Sequence, residues 1–337
     1  MPPLRTADLP EMGGSLGPDP EDFVVDEIPA YLPSGKGEHV YLRVRKRRMT
    51  TRDAAIALAR ALRIPERDVG YAGMKDKQGV TTQWFSLPGK AQDVTSVALP
   101  PELEVLETSR HGNKLRTGHL RGNRFVLGVV GAPPGGDERA RALLARLADQ
   151  GLLNTFGAQR FGRDGENVAT ALAWLRGEAP LPRGRERFLS KLYSSAVQAE
   201  AFNRYAIARV GVGFERLLLG EVVRLSGSSA LFVVENLERE TPRLLGGDIA
   251  LTGPLPGPKL RPAATSEALD LERSVLGELG LGEKELEALA EHAPGTRRDL
   301  VVRPEHGDVQ IDGDRIRISF ELPSGSYATE VLREMLR

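Results

Sequence analysis

The sequence predicts an α+β protein in which one domain is interrupted by an insertion. Three observations predict it. The chain is 337 residues long, more than one hydrophobic core usually organises. Segments with a two-residue apolar period fall early and late in the chain. Between them lies a long middle that is helical and rich in Gly and Pro. The stretches EAPLPRGRER and HAPGTRRD set the expected limits, giving a discontinuous domain of residues 1–179 and 297–337 and an insertion of 180–296.

The elements follow in order. HVYLRVRK (39–46) alternates Val40, Leu42 and Val44 against Tyr41, Arg43 and Arg45, which predicts a strand with one buried and one basic face. A helix follows, because Thr50 and Thr51 can cap TRDAAIALARAL and Ile56, Leu58, Ala59 and Leu62 make an apolar side. Strands are predicted at TTQWFSL (81–87), ELEVLET (102–108), RFVLGVV (124–130), DLVVRP (299–304) and RIRISFEL (315–322). Helices are predicted at ERARALLARLADQG, at SKLYSSAVQAEAFNRYAIARV and at the end of the chain, where Ala328, Val331, Leu332, Met335 and Leu336 keep helical spacing.

Composition narrows the chemistry. The chain is 40% hydrophobic and 27% charged, with no apolar run near the roughly 20 residues that span a bilayer. Its start has neither a basic nor an apolar leader region, so a cytoplasmic enzyme is expected. There is no cysteine, and the five histidines show no metal-ligand spacing, so no metal is expected. Phosphate-loop, dinucleotide and nucleophile-elbow motifs are absent. The 46 basic and 46 acidic residues cancel, yet the cations are clustered: Arg43 to Arg48, then Arg110, Lys114, Arg116, Arg121 and Arg124, then Arg183 to Lys191. Such clustering gives a neutral chain a positive face suited to phosphates, or simply a solvated surface.

Two stretches carry candidate chemistry. In GYAGMKDKQGVTTQ (70–83), Asp76 sits between Lys75 and Lys77 with glycines nearby. Flanking cations favour an ionised carboxylate, which suits a nucleophile or base; a solvated hairpin tip gives the same pattern. NTFGAQRFG (154–162) packs aromatics, glycines, an amide and a cation into nine residues with no regular period, as a base-stacking loop would. Phe156 and Phe161 as core plugs between turns is the competing reading.

GMKDKQGVTTQW resembles the G-x-KD-x-x-x-x-T-x-Q signature of the TruD family of tRNA pseudouridine synthases, and NTFGAQRFG resembles its N-x-FG-x-QRFG signature. PEDFVVDE (20–27), GEHVYLRVRK (37–46), SAVQAEAFN (195–203) and LPSGSYATEVLRE (322–334) are similar to further family segments, in family order. The resemblance implies a pseudouridine synthase fold with a mixed, largely antiparallel β-sheet, interrupted by a family-specific α/β insertion over 180–296. It implies isomerisation of the uridine at position 13 of tRNA to pseudouridine, with no cofactor or metal and with tRNA as the partner. Nothing points to a membrane or an obligate protein partner. The family's catalytic aspartate falls on Asp76 and its substrate contacts on Phe23, Asn154, Phe156 and Tyr327, with Phe156 as the stacking aromatic. Lys75, Arg43, Arg45, Arg116, Arg121 and Arg160 are candidate RNA contacts. Departures from the pattern are Thr155, Ala199 and Gly17, where tyrosine, serine and lysine are usual.

The reaction breaks an N-glycosidic bond and rejoins uracil through C5, so it is redox-neutral. A base inside folded RNA must first be flipped out, with lost stacking replaced by protein aromatics. Asp76 would attack the sugar C1′, attack uracil C6, or remove a sugar proton to give a glycal. Asn154 or Gln83 would bind the uracil edge or orient the carboxylate, while Gln83 and Thr82 can equally be strand residues beside the site. An RNA-binding module without chemistry would not need Asp76. A glycosidic hydrolase would need a second carboxylate, for which Glu27 is the visible candidate.

Overall fold

The computed structural model describes residues 2–89, 97–264 and 266–337. The chain forms two compact units, one of Thr6–Gln150 with Arg303–Arg337, the other of Gly151–Val302 with the stretch up to Arg5. In these packing units, residues 151–179 and 297–302 go with the middle segment.

The first unit begins with β1 (Ser15–Leu16), β2 (Phe23–Pro29), β3 (His39–Arg47), α1 (Thr51–Ala61), β4 (Gly70–Tyr71), β5 (Val80–Pro88), β6 (Leu103–His111), β7 (Leu120–Val130) and α2 (Gly136–Gln150). The second contains β8 (Leu152–Leu153), α3 (Glu166–Leu175), α4 (Glu186–Val212), β9 (Val222–Leu225), β10 (Leu231–Val233), α5 (Leu237–Leu245), β11 (Ile249–Leu255), α6 (Ser266–Glu278), α7 (Glu283–Ala290), β12 (Thr296–Asp299) and β13 (Val301–Val302). The chain then completes the first unit with β14 (Glu305–Asp312), β15 (Arg315–Pro323) and α8 (Ala328–Leu336).

The first unit's sheet runs β14-β15-β7-β2-β5-β3-β6, with β1 on β7 and β4 on β5. Its pairings are antiparallel apart from β2 with β5, where Val24 lies opposite Val80. The expected mixed, largely antiparallel sheet is therefore present. On β3 the alternation works as predicted for Val40, Leu42 and Val44, which pack with Phe85 and Leu87 under α1. Thr50 caps α1 by accepting from the Asp53 amide, and the buried stripe is Ala54, Ala55, Leu58 and Ala59, with Ile56 only half-buried. Two β3 side chains are buried where the sequence suggests exposure. Tyr41, on the basic side, is buried with Ala72, Trp84 and Leu115, and Lys46, counted among the surface cations, is fully buried. For Tyr41 the reason is that its face too is covered over part of β3, whereas Lys46 shares the buried face of Val40, Leu42 and Val44 and departs only in being a cation there.

In the second unit α4 lays Phe202, Tyr205 and Ala206 against Val223, Ile249 and Leu251 of its four-stranded sheet. Among the described residues of this unit, Arg209 pairs with Glu221 at 2.9 Å and Arg297 with Glu272 at 2.6 Å, both in the interior. The predicted strand at 299–304 is instead two short ones, β12 pairing with β11 and β13 with β8. No helix among the described residues is long and apolar enough to cross a membrane.

Candidate active site

Asp76 lies in the loop that joins β4 to β5. That loop has no regular hydrogen-bond ladder, so its conformation depends on side chains from neighbouring elements. Gln83 Nε2 on β5 donates to the Gly73 carbonyl at 3.1 Å. The Thr51 hydroxyl, at the start of α1, accepts from the Lys75 amide at 2.8 Å and donates to Gln83 Oε1 at 2.7 Å. Lys46 Nζ donates to the Asp76 carbonyl at 3.1 Å and to the Met49 carbonyl at 2.6 Å. Lys75 Nζ pairs with Glu27 at 3.0 Å, both side chains at least 96% buried. Glu27's other oxygen accepts from the Trp84 amide at 3.2 Å.

The backbone before and at Asp76 is thus fixed at three points, while its carboxylate is exposed and takes no hydrogen bond among the described residues. An exposed carboxylate on a rigid loop keeps its lone pairs for a substrate. Burial pushes the Lys46 ammonium down to about 8, against the opposing attraction of the nearby Asp76 charge. Glu27 has both oxygens engaged, so the carboxylate that a hydrolase would use as its acid has a structural role. Phe23 opens β2 beside the same loop: a Cβ on Gly79 would stand 2.0 Å from the Phe23 carbonyl oxygen. The Phe23 ring is half-buried and meets Phe125 edge-on at 6.4 Å. Tyr327, also half-buried, precedes α8 as its N-terminal flanking residue.

Asn154, Phe156 and Arg160 belong to the second unit. Asn203 on α4 holds the Phe156 backbone from both sides, accepting from its amide at 2.8 Å and donating to its carbonyl at 2.9 Å. Arg298 donates to the Asn154 carbonyl and Oδ1 at 2.9 and 2.6 Å, and its guanidinium lies 4.2 Å from the centre of the Phe156 ring. Asn154 Nδ2 donates to the Asp299 carbonyl at 2.9 Å. Arg160 also approaches that ring, at 5.4 Å, and Phe202 meets it edge-on at 5.7 Å. Phe156 therefore combines the two readings of its sequence, being packed against the core of its unit and half exposed.

The family model of tRNA pseudouridine synthase D (TruD) matches residues 3–178 and 185–335. The chain belongs to the TruD family. It is similar to the tRNA pseudouridine synthase D of Anaeromyxobacter sp. (strain Fw109-5), with 48% identity over 99% of this chain and 96% of that protein. Its similarity to a tRNA pseudouridine synthase D of Thermus thermophilus is 39% identity, over 99% and 92%. A crystal structure from Methanosarcina mazei that carries the TruD name shares the fold, with a TM-score of 0.72 and 24% identity over 99% of this chain and 95% of that one.

Among the cations expected to touch RNA in this TruD chain, the structure separates several kinds. The Lys75 ammonium is buried against Glu27. Arg45 and Arg121 pair with Glu104 and Glu321 at 3.2 and 3.7 Å. Arg160 donates to the Ser195 hydroxyl at 3.4 Å. Arg43 and Arg116 are exposed and have no ion pair among the described residues. Lys46, Thr51, Asn203 and Arg298 were not singled out as site residues by the sequence. The visible signal for Lys46 was a lysine in phase with Val40, Leu42 and Val44, and Arg298 was hidden in a stretch that read as a boundary. Among the described residues no group of three or more His, Asp or Glu is placed to hold a metal.

Proposed function

We propose that this TruD protein converts the uridine at position 13 of tRNA to pseudouridine, with Asp76 as the catalytic residue. The observation that carries the assignment is the Asp76 carboxylate, exposed and with no hydrogen bond among the described residues, on a loop whose backbone is pinned by Gln83, Thr51 and Lys46. Family membership and the names of the relatives support the tRNA substrate. The uridine is flipped from the RNA, and stacking on aromatic rings offsets the few kcal/mol that unstacking costs. Phe156 is proposed as the stacking face, Asn154 as a contact to the uracil edge, and Phe23 and Tyr327 as further substrate contacts. Asp76 acts as an ionised carboxylate whether it attacks C1′ or C6 or abstracts the sugar proton that leads to a glycal. Uracil then turns and rejoins the ribose through C5, so all atoms are retained and no redox partner enters. The segment 180–296 is proposed as the family's insertion within the catalytic domain.

The test is to incubate purified protein with unmodified tRNA transcripts and map pseudouridine chemically. Pseudouridine at position 13 is the expected result. Its absence from every transcript, with the RNA bound, would leave an RNA-binding module instead.

A further inference from the structure

The first unit has an open cleft of about 730 Å³ lined by Arg67, Tyr71, Lys114 and Arg116 among others, with an apolar floor at Ala55, Val69 and Leu115. Most arginines of this unit that lie near an acid are taken up in ion pairs, as Arg45, Arg47, Arg52, Arg121, Arg141 and Arg146 show. The cleft differs. Arg67 and Arg116 have no ion pair among the described residues, and Lys114 Nζ donates to the Arg67 carbonyl, at 2.6 Å, rather than to a carboxylate. The acid among the lining residues, Glu66, is turned to Arg52 at 3.3 Å. Three cations therefore share a concave surface whose single lining carboxylate is paired with Arg52, so the cleft carries an excess of positive charge that suits an anion.

The cleft is also built rather than incidental. The Lys114 bond ties the loop before β7 to the turn before β4, and the Leu115 amide donates to the Ser86 hydroxyl at 2.8 Å. The Tyr41 hydroxyl donates to the Asn113 carbonyl at 2.8 Å. Gly70 lets this loop approach, since a Cβ there would stand 2.4 Å from the Leu115 carbonyl oxygen. Tyr71, half-buried and edge-on to Phe85 at 6.2 Å, supplies an aromatic among the cations. The chain continues from Tyr71 directly into the pinned loop, so Asp76 is at most about 18 Å away along an extended backbone.

We propose that Arg67, Lys114 and Arg116 form a phosphodiester-binding cleft that holds a stretch of the RNA substrate's backbone away from the target nucleotide. The inference rests on the reading of the protein as a tRNA-modifying enzyme, which supplies the polyanion. It commits to the backbone of RNA rather than to a free nucleotide because the cleft is open and its cations are spread over two separate loops. Cations so placed meet successive phosphates, and each neutralised phosphate releases counterions that appear in the salt dependence of binding.

The experiment compares the wild type, the Arg67→Ala/Lys114→Ala/Arg116→Ala triple variant, the single Arg116→Glu variant and an Arg141→Ala/Arg146→Ala control on α2. Equilibrium binding of an unmodified tRNA transcript is measured from about 50 to 200 mM monovalent salt. The triple variant is expected to bind at least about tenfold more weakly near 0.1 M salt, with a log–log slope shallower by about two to three units. Arg116→Glu, matched to the wild type in melting temperature, weakens binding in the same direction, and the control keeps the wild-type slope. An unchanged slope in the triple variant overturns the proposal. So does wild-type binding of UMP at micromolar concentration that the triple variant loses, because that result marks a mononucleotide pocket. Pseudouridine mapping on the wild type separates the two readings. Modified tRNA with an unchanged slope removes the cleft and keeps the enzyme, whereas a flattened slope with no pseudouridine on any tRNA keeps the cleft and removes the enzyme.

Discussion

At the scale of single residues, Lys46 ties stability and catalysis to pH in opposite senses. Its ammonium is buried on β3 and holds the Asp76 carbonyl, and its folded pKa is pushed down from 10.5 to about 8 by burial. Below about 8 both folded and unfolded chains carry the proton, and the folded state bears the cost of the buried charge. Between about 8 and 10.5 the unfolded chain holds a proton that the folded chain has lost, so this group's contribution to stability rises with pH. The ionic hold on the Asp76 loop is lost over the same window. We expect the single-turnover rate to fall above about pH 8 in the wild type, and Lys46→Met to be slow throughout without that limb. A wild-type profile with the same alkaline shape as the variant's contradicts the role given to Lys46. Phe156 offers a second check. Phe156→Leu keeps apolar volume but loses the π-face, worth about 1–3 kcal/mol per stacked base. Its single-turnover rate should drop about ten- to a hundredfold while tRNA affinity changes little, and Phe156→Tyr should stay active. An unchanged rate in Phe156→Leu would return the ring to packing alone. The motif around Asp76 was legible because it is local in sequence. Lys46 was hidden because it reads as one more cation of a basic run, although its phase with Val40, Leu42 and Val44 puts it on the buried face.

At the scale of elements, the β4–β5 loop shows how a segment without its own ladder is made rigid by side chains from α1, β2, β3 and β5. Gly79→Ala tests this packing directly. The new methyl would stand 2.0 Å from the Phe23 carbonyl oxygen, a backbone atom, so β2 or the loop must shift. Overpacking of this kind costs about 1–3 kcal/mol. We expect a lower denaturation midpoint and a loss of turnover larger than the loss of stability explains, since Phe23 and Asp76 are displaced together. In the second unit, Glu221→Ala leaves the fully buried Arg209 guanidinium without its counter-charge. Removal of one partner of a buried pair typically costs about 3–5 kcal/mol, readable in denaturant unfolding. Strands rich in β-branched and aromatic residues, such as β3, β5 and β7, were legible within a few residues. The edge strand β14 was not, because Val309 is its one buried residue and seven polar or exposed positions give no period. The 299–304 segment read as one strand because sequence does not reveal that Leu300 separates two pairings with different partners.

At the scale of the whole molecule, a net charge of zero coexists with a division of cations into paired and unpaired sets. Sequence shows where cations cluster along the chain, but the pairing of Arg45 with Glu104 and of Arg121 with Glu321 joins residues far apart in sequence. The fold class and the proposed site motifs were therefore legible, whereas the compact units and the pairing of charges depend on tertiary contacts. Because no group of three or more His, Asp or Glu among the described residues is placed to hold a metal, EDTA should leave turnover intact once monovalent salt maintains the tRNA fold; strict dependence on added Zn²⁺ or Mg²⁺ at the protein would contradict that expectation. The Asp76 carboxylate is proposed to perform the chemistry. Its most direct test is the single-turnover formation of pseudouridine at position 13 by Asp76→Asn beside the wild type, with tRNA binding measured on the same samples. The substitution keeps the side chain's shape and removes its charge. Wild-type affinity with no detectable product is expected, and turnover by Asp76→Asn comparable to the wild type would contradict the role proposed for Asp76.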